Sequence, residues 1–308
     1  MRRFIIHVLI LLLMVMGILT ILIGGSVAIL ASASFKLPSD KNILVLGTSQ
    51  TECAIDDSIF SHSINLSLSS TNAMHSYLTL RKFLNEDANK IDTVLFDYNP
   101  GRMSDDGFFT EDNILARIPF FIVLMDQEDI FNFVGYKTFY KALLQIPVKN
   151  IRPILRFFQK GAVSYKDLEI GGYLKLYRDK LQEDITLREG ADRNSGKNSK
   201  QEVSSYQLQL RYILKSADLC KEKGVKFILI SVPCYQPEKY GSRDRLLSFY
   251  NTNLHEITWI DNSDFTLPDD AYGDIEHINY KGAEMFSQYL EDNKALFKIG
   301  SQSTDNFK

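Results

Sequence analysis

Two segments far apart in the chain hold residue types suited to nucleophilic catalysis. Gly47-Thr48-Ser49 ends the apolar run Ile43-Leu44-Val45-Leu46, and Asp274-Ile275-Glu276-His277-Ile278-Asn279 lies toward the carboxyl end. A serine just after a strand presents its hydroxyl at a sheet edge, with its backbone N–H free to hold an oxyanion. An Asp three residues before a His, in a tight turn, can accept the imidazole Nδ1–H and leave Nε2 to take a proton from a serine. Each segment alone has a plainer reading, an N-cap serine for the first and a surface turn for the second. Together they have the order of a hydrolase triad, with Ser49 as nucleophile, His277 as base and Asp274 orienting the base.

Other candidates are poorer. Of the five histidines, His62 and His255 have no neighbours at metal-ligand spacing apart from Glu256, and His75 reads as a solvated helix residue or a pocket wall. Cys53 reads as a buried apolar filler, and Cys53, Cys220 and Cys234 are too widely spaced to suggest a disulfide framework or a zinc site. Glycine-rich nucleotide loops are absent, as is Gly-x-Ser-x-Gly, which disfavours nucleotide cofactors and an ordinary α/β-hydrolase elbow. The triad chemistry requires neither a metal nor an organic cofactor.

The elements that must position these groups alternate. Short apolar runs at 43–47, 64–68, 93–98, 225–232 and 257–260 read as buried strands. Between several of them lie helical stripes, Ala73, Tyr77, Leu80 and Leu84 in one case and Tyr206, Leu210, Ile213, Ala217 and Cys220 in another. The second ends at Lys223-Gly224, a glycine C-cap before a strand. This alternation predicts an α/β fold, a three-layer sandwich around a parallel sheet of roughly five strands, with ligands bound beyond the strands' carboxyl ends. Ala283, Phe286 and Leu290 would anchor the Asp-His turn through a terminal helix. Residues 101–205 interrupt the pattern and hold nine of the 20 phenylalanines, which suggests a helical insertion packed on the sheet or serving as a lid. Ala191 to Glu202 reads as an exposed loop and residues 301–308 as a flexible tail.

From Phe4 to Leu30 the chain has no Asp, Glu, Lys or Arg, longer than the roughly 20 residues that cross a bilayer. Arg2 and Arg3 before it favour a single pass with the carboxyl-terminal domain outside the cytoplasm, while Lys36 and Lys41 pull the other way. Ala31-Ser32-Ala33 also fits signal-peptidase cleavage, so a secreted or periplasmic product is the alternative to an anchor over residues 1–33. The remainder, 34–300, reads as one domain. With Lys+Arg 35 against Asp+Glu 38, the net charge of -3 gives no overall basic field for nucleic acid, and the 45% hydrophobic fraction is that of a globular chain.

The two motifs resemble the first and last blocks of the SGNH/GDSL hydrolase superfamily, in particular its membrane-anchored bacterial branch. The likeness covers residues 43–100 and 225–290 and leaves the insertion aside. It implies a flavodoxin-like sandwich and an extracytoplasmic esterase or O-acyltransferase working on acyl groups, acetyl foremost, of an envelope glycan. A membrane acyltransferase would be a fitting partner, beside the lipid around residues 4–30. In the family an oxyanion glycine lies in Asn-x-Gly-x-Ser-Gly; here the stretch is Asn65-Leu66-Ser67-Leu68-Ser69-Ser70, with serines at both glycine places. The resemblance implies oxyanion donors at Ser49, Ser70 and Asn99, the last in Asp97-Tyr98-Asn99-Pro100. The serine replacements support a rival reading, an inactive anchored protein that binds glycan or an envelope partner.

Overall fold

The apolar run at Ile43–Leu46 forms β1, buried at all four positions. The computed structural model describes residues 1–99, 121–130, 135–190, 199–240 and 243–297. Along the chain these form α1 (Arg2–Ala31), β1, α2 (Ser49–Ala54), β2 (Ser63–Asn65), α3 (Ala73–Leu84), β3 (Thr93–Asp97), α4 (Tyr136–Lys149) and α5 (Ile151–Lys160). They continue with α6 (Leu181–Gly190), α7 (Ser199–Glu222), β4 (Lys226–Ser231), α8 (Arg243–Asn253), β5 (Trp259–Asp261) and α9 (Tyr280–Asp292), besides short helical turns. The tail 301–308, residues 101–120 of the insertion and most of the loop at 191–202 lie outside the described residues.

The chain divides into two compact units, Met1–Phe35 with Thr110–Glu169, and Lys36–Phe109 with Ile170–Lys308. The second holds the sheet, five parallel strands in the order β2-β1-β3-β4-β5. This is the flavodoxin-like order, whose reversal beside β1 opens a crevice at the carboxyl ends of β1 and β3. Alternate residues fill both faces, as a parallel sheet requires. Ile43, Val45, Leu95, Ile228 and Ile230 pack with Ala54, Ile55, Phe286 and Leu290 in one cluster. Leu44, Leu46, Val94, Phe96 and Leu229, which point the other way, are equally buried. On the helical side α3 packs against α7, and α7 against β4. Gly224 sits at φ +68 directly after α7, the left-handed turn that lets the chain enter β4.

Three sequence expectations are corrected. Residues 199–202 are the first turn of α7 and not loop. His75 is buried rather than solvated, because α3 is covered nearly all round and its capping box joins Asn72 to His75. The 101–205 segment is not one insertion. Its described residues up to Glu169 belong to the unit of α1, whereas Ile170 onward belongs to the sheet unit, beginning with an extended strap over residues 170–180. In the first unit, α4 and α5 pack against α1, and Ser34 pairs with Ser164.

Candidate active site

Gly47 lets the chain turn sharply off β1. A Cβ there would lie 2.6 Å from Asp97 Cβ and 2.7 Å from Thr51 Cβ, so no larger residue fits. The close approach allows Asp97, buried at the end of β3, to accept hydrogen bonds from Thr48 N at 2.9 Å and Thr48 Oγ1 at 2.8 Å. Thr48 is extended and caps α2, which makes Ser49 the first helical residue. A first-turn N–H has no carbonyl of its own helix to bond, so the Ser49 amide is left for a ligand.

The other half of the site is a turn closed on itself, with Gly273 N and Asp274 N both donating to His277 O, at 2.8 and 3.2 Å. Asn279 then caps α9 through Lys281 N and Gly282 N, while its amide donates to Asp270 O and Tyr272 O. Phe286 and Leu290, fully buried on α9, fix the turn to the sheet.

These elements bring Ser49, His277 and Asp274 into line. His277 Nε2 lies 2.8 Å from Ser49 Oγ, and His277 Nδ1 lies 2.9 Å from Asp274 Oδ1. A carboxylate oxygen can only accept, so Nδ1 carries the hydrogen and Nε2 faces the serine hydroxyl as an acceptor. Asp274 Oδ1 also accepts from Glu276 N and His277 N at 2.9 Å each, and Oδ2 accepts from Arg178 Nη1 at 2.5 Å. The Asp274 side chain is 4% exposed and that of His277 18%. Burial alone pushes the Asp274 carboxyl up, but the His277 hydrogen bond and charge, the Glu276 amide and Arg178 outweigh it. The group is held well below the ordinary carboxylate range. In return, the hydrogen bond and charge of Asp274 raise the Arg178 guanidinium.

Ser70 stands at φ +57, the left-handed conformation that favours glycine. The serine therefore keeps the backbone shape that a glycine would take in the Asn65–Ser70 stretch. Leu68 N donates to Gly47 O at 3.0 Å, and the Ser69 hydroxyl donates to the buried Glu52 carboxylate in α2. Both ties hold the Ser69-Ser70 turn against the first turn of α2. Asn99 departs from expectation. Its side-chain amide donates to Asp97 Oδ1 and, at 3.5 Å, to Thr51 Oγ1, and its oxygen accepts from Val232 N at 2.9 Å. It clasps β3 to β4 inside the protein, and its donors are committed there rather than turned to an oxyanion.

Sequence reasoning missed three supporting groups. Asp97 had a signal, a lone carboxylate closing an apolar strand. Glu52 lies three residues after Ser49, but nothing in the sequence indicated that it faces Ser69. Arg178 had none, since it reaches Asp274 from the strap, 96 residues away. The strap is tied down by Gly172 N to Ser67 O, Leu174 N to Glu52 O, Lys180 N to Gly273 O and Tyr280 N to Leu176 O. It thus touches the Ser70 loop, α2 and the Asp-His turn in succession. Cys53 is buried and its thiol is pushed up to about 12, chiefly by burial and then by Glu52 and Asp274, which suits a filler and not a nucleophile.

Fold and site define an α/β protein with a Ser-His-Asp arrangement at the carboxyl edge of a doubly wound sheet. One protein-family model matches residues 162–296. No curated protein matches the chain. Among solved structures it is similar to a candidate acylhydrolase from Bacteroides fragilis, with 13% identity, 87% of this chain and 93% of that chain covered, and a TM-score of 0.37. A GDSL-like lipase from Bacteroides thetaiotaomicron matches with 11% identity, 83% and 89% coverage and a TM-score of 0.35. A candidate platelet activating factor from Streptococcus pneumoniae matches with 10% identity, 94% and 98% coverage and a TM-score of 0.39. These likenesses are remote, and the functional reading rests on the chain's own residues.

Proposed function

We propose that the protein is a membrane-anchored serine esterase or O-acyltransferase of the SGNH type, acting outside the cytoplasm on acyl groups, acetyl foremost, of an envelope glycan. The observation that carries this reading is the 2.8 Å approach of His277 Nε2 to Ser49 Oγ, with Asp274 behind the imidazole. Ser49 Oγ attacks the acyl carbonyl while its proton passes to His277 Nε2, and Asp274 steadies the resulting imidazolium. The N–H groups of Ser49 and Ser70 would donate to the oxyanion, each good donor contributing about 3 to 4 kcal/mol in related chemistry. Collapse of the tetrahedral intermediate breaks the ester bond. His277 gives its proton to the departing sugar oxygen and the acyl group stays on Ser49. Water, or a second sugar hydroxyl in the transfer reaction, then gives its proton to His277 and attacks the acyl carbonyl; the bond to Ser49 Oγ breaks, and His277 returns the proton to Ser49 Oγ.

Retention of α1 as an anchor is supported by what surrounds the Ala31-Ser32-Ala33 sequence. Leu30, Ala33 and Phe35 are buried, and Ser34 exchanges backbone hydrogen bonds with Val163 and Tyr165 at 2.9 Å each. These contacts tie the residues that follow α1 into the fold, although Ala31, Ser32 and Ser34 are themselves exposed. The left-handed Ser70 backbone favours the catalytic reading over an inactive binding protein at that one of the two serine positions.

Full-length protein in nanodiscs, assayed on p-nitrophenyl acetate and on acetylated glycans, tests the reading. Ser49→Ala and His277→Ala should each lower the rate by at least about 10³-fold. Equal rates for wild type and both variants would sink the enzyme reading, and glycan binding by the same equally inactive proteins would favour the binding role.

A further inference from the structure

Within the unit that holds α1, two helices carry exposed apolar faces. On α4, Tyr136, Tyr140, Leu144 and Val148 recur every four residues along one exposed face. On α5, Ile151, Leu155 and Phe158 follow i, i+4, i+7 and are likewise exposed, Phe158 at 74%. From Tyr136 to Lys160 there are six basic residues and no Asp or Glu. Lys137 and Lys141 flank the α4 stripe, and Arg156 and Arg152, the latter paired at 3.2 Å with the exposed Glu169, flank that of α5. A helix with an apolar stripe and basic margins is suited to the boundary between acyl chains and anionic head groups.

The depth of α1 places these helices at that boundary. Its buried or half-buried residues begin at Ile23 and include Ser26 and Leu30, whereas every residue from Phe4 to Leu22 is exposed. At 1.5 Å per residue the bare stretch is about 28 Å long, close to the roughly 30 Å of a bilayer's hydrocarbon core. The covered end, where α4 and α5 pack, is therefore the part that emerges from the lipid.

We propose that α4 and α5 lie in the outer surface of the same bilayer that α1 crosses, their apolar stripes among the acyl chains and their Lys and Arg side chains on anionic lipid head groups. This rests on the reading of α1 as an anchor and is independent of the chemistry at Ser49. Such a surface mount fixes the height of the first unit above the lipid and resists tilting of α1.

Hydroxyl-radical footprinting of the unaltered full chain, one copy per nanodisc of anionic phospholipid, tests the proposal. Tyr177, 70% exposed in the sheet unit, is an internal reference for Tyr140, which is 62% exposed. Tyr136, Tyr140 and Phe158 should be modified at least about fivefold more slowly in the disc than their exposure relative to Tyr177 predicts. Modification of Tyr140 at the rate of Tyr177, with Met14 and Met16 of α1 protected, would overturn the proposal and leave the anchor standing. Free modification of Met14 and Met16 would remove the anchor and the proposal together. Protection that appears only in discs carrying two copies would assign the stripe to a second chain and overturn the lipid contact. A quadruple variant, Lys137→Glu, Lys141→Glu, Arg152→Glu and Arg156→Glu, should lose at least half of the protection, and unchanged protection would refute the role given to the basic margin.

Discussion

Replacing Asp274 by Asn separates orientation of His277 from stabilisation of its charge. In a serine protease the corresponding change costs about 10⁴ in kcat because the imidazole is held in the wrong tautomer. Here the geometry selects the amide orientation differently. Oδ1 accepts three hydrogen bonds, from His277 Nδ1, His277 N and Glu276 N, whereas Oδ2 accepts one, from Arg178. An asparagine that kept its oxygen at the Oδ1 place would satisfy three donors and set its NH₂ only against Arg178. That guanidinium is 48% exposed and can swing into water. The flipped amide would oppose three donors at once, at a cost of about 1 to 3 kcal/mol for each unsatisfied group. The tautomer should therefore survive and the loss should be that of charge alone. A unit charge about 4 Å from the imidazolium is worth about 4 kcal/mol at an effective dielectric of 20, less what the Arg178 counter-charge already cancels. The expected fall in kcat on p-nitrophenyl acetate is about 10²- to 10³-fold. Arg178→Gln, which alters the wild-type rate, should be nearly silent in the Asp274→Asn background, as a double-mutant cycle would show. A loss of 10⁴ or more with unchanged circular dichroism, or one below about tenfold, would refute this account of the turn.

Four further outcomes follow from the same contacts. Ser70→Gly should stabilise the protein by about 0.5 to 1 kcal/mol in urea unfolding, since it relieves a left-handed Cβ at an exposed position; destabilisation would contradict that. Ser69→Ala removes a hydrogen bond to a buried carboxylate and should cost about 1.5 to 3 kcal/mol, with a parallel loss of kcat; a cost under about 0.5 kcal/mol would show that the Glu52 tie does not hold the loop. Gly47→Ala must displace Asp97 or Thr51 and should cost about 1 to 3 kcal/mol or more, so an unchanged Tm would mean that the turn off β1 is not tight. Because the Asp274 carboxyl is depressed in the folded protein, its contribution to stability is full above the ordinary carboxyl range, near pH 4, and falls away as the pH drops through the folded value. Asp274→Asn should flatten that part of the acid-unfolding curve, and an identical slope in both proteins would argue against the linkage.

What the sequence disclosed depended on whether a contact was local. The five strands were legible because parallel strands covered on both faces are short apolar runs, and only their ends moved, as with β2 at Ser63–Asn65 against the expected 64–68. Asp274 and His277 were legible because their spacing lies within one turn. Ser49 was legible because a strand end and a glycine precede it. Ser70 was half legible, since a serine at a glycine position says nothing of φ until the backbone is seen. Asn99 misled for a related reason. Its neighbour Asp97, two residues back, is the carboxylate that occupies its amide, and no spacing rule separates an inward clasp from an outward donor.

The strap shows why the remainder was hidden, and it bears on how the site would choose its substrate. Residues 170–180 have neither helical nor strand periodicity, because their backbone is satisfied by scattered partners: Ser67, Glu52, Gly273 and Tyr280. An irregular segment of this kind holds its shape only if several such ties act together. Arg178 on Asp274 connects it to the carboxylate that orients His277. Displacement of the strap by an acceptor would therefore change both access to Ser49 and the charge behind His277. A serine site closed by a separate lid would change only access. If Arg178 does couple the two, Arg178→Gln should change kcat on p-nitrophenyl acetate as well as KM. An unchanged kcat with a raised KM would leave the strap a purely steric element.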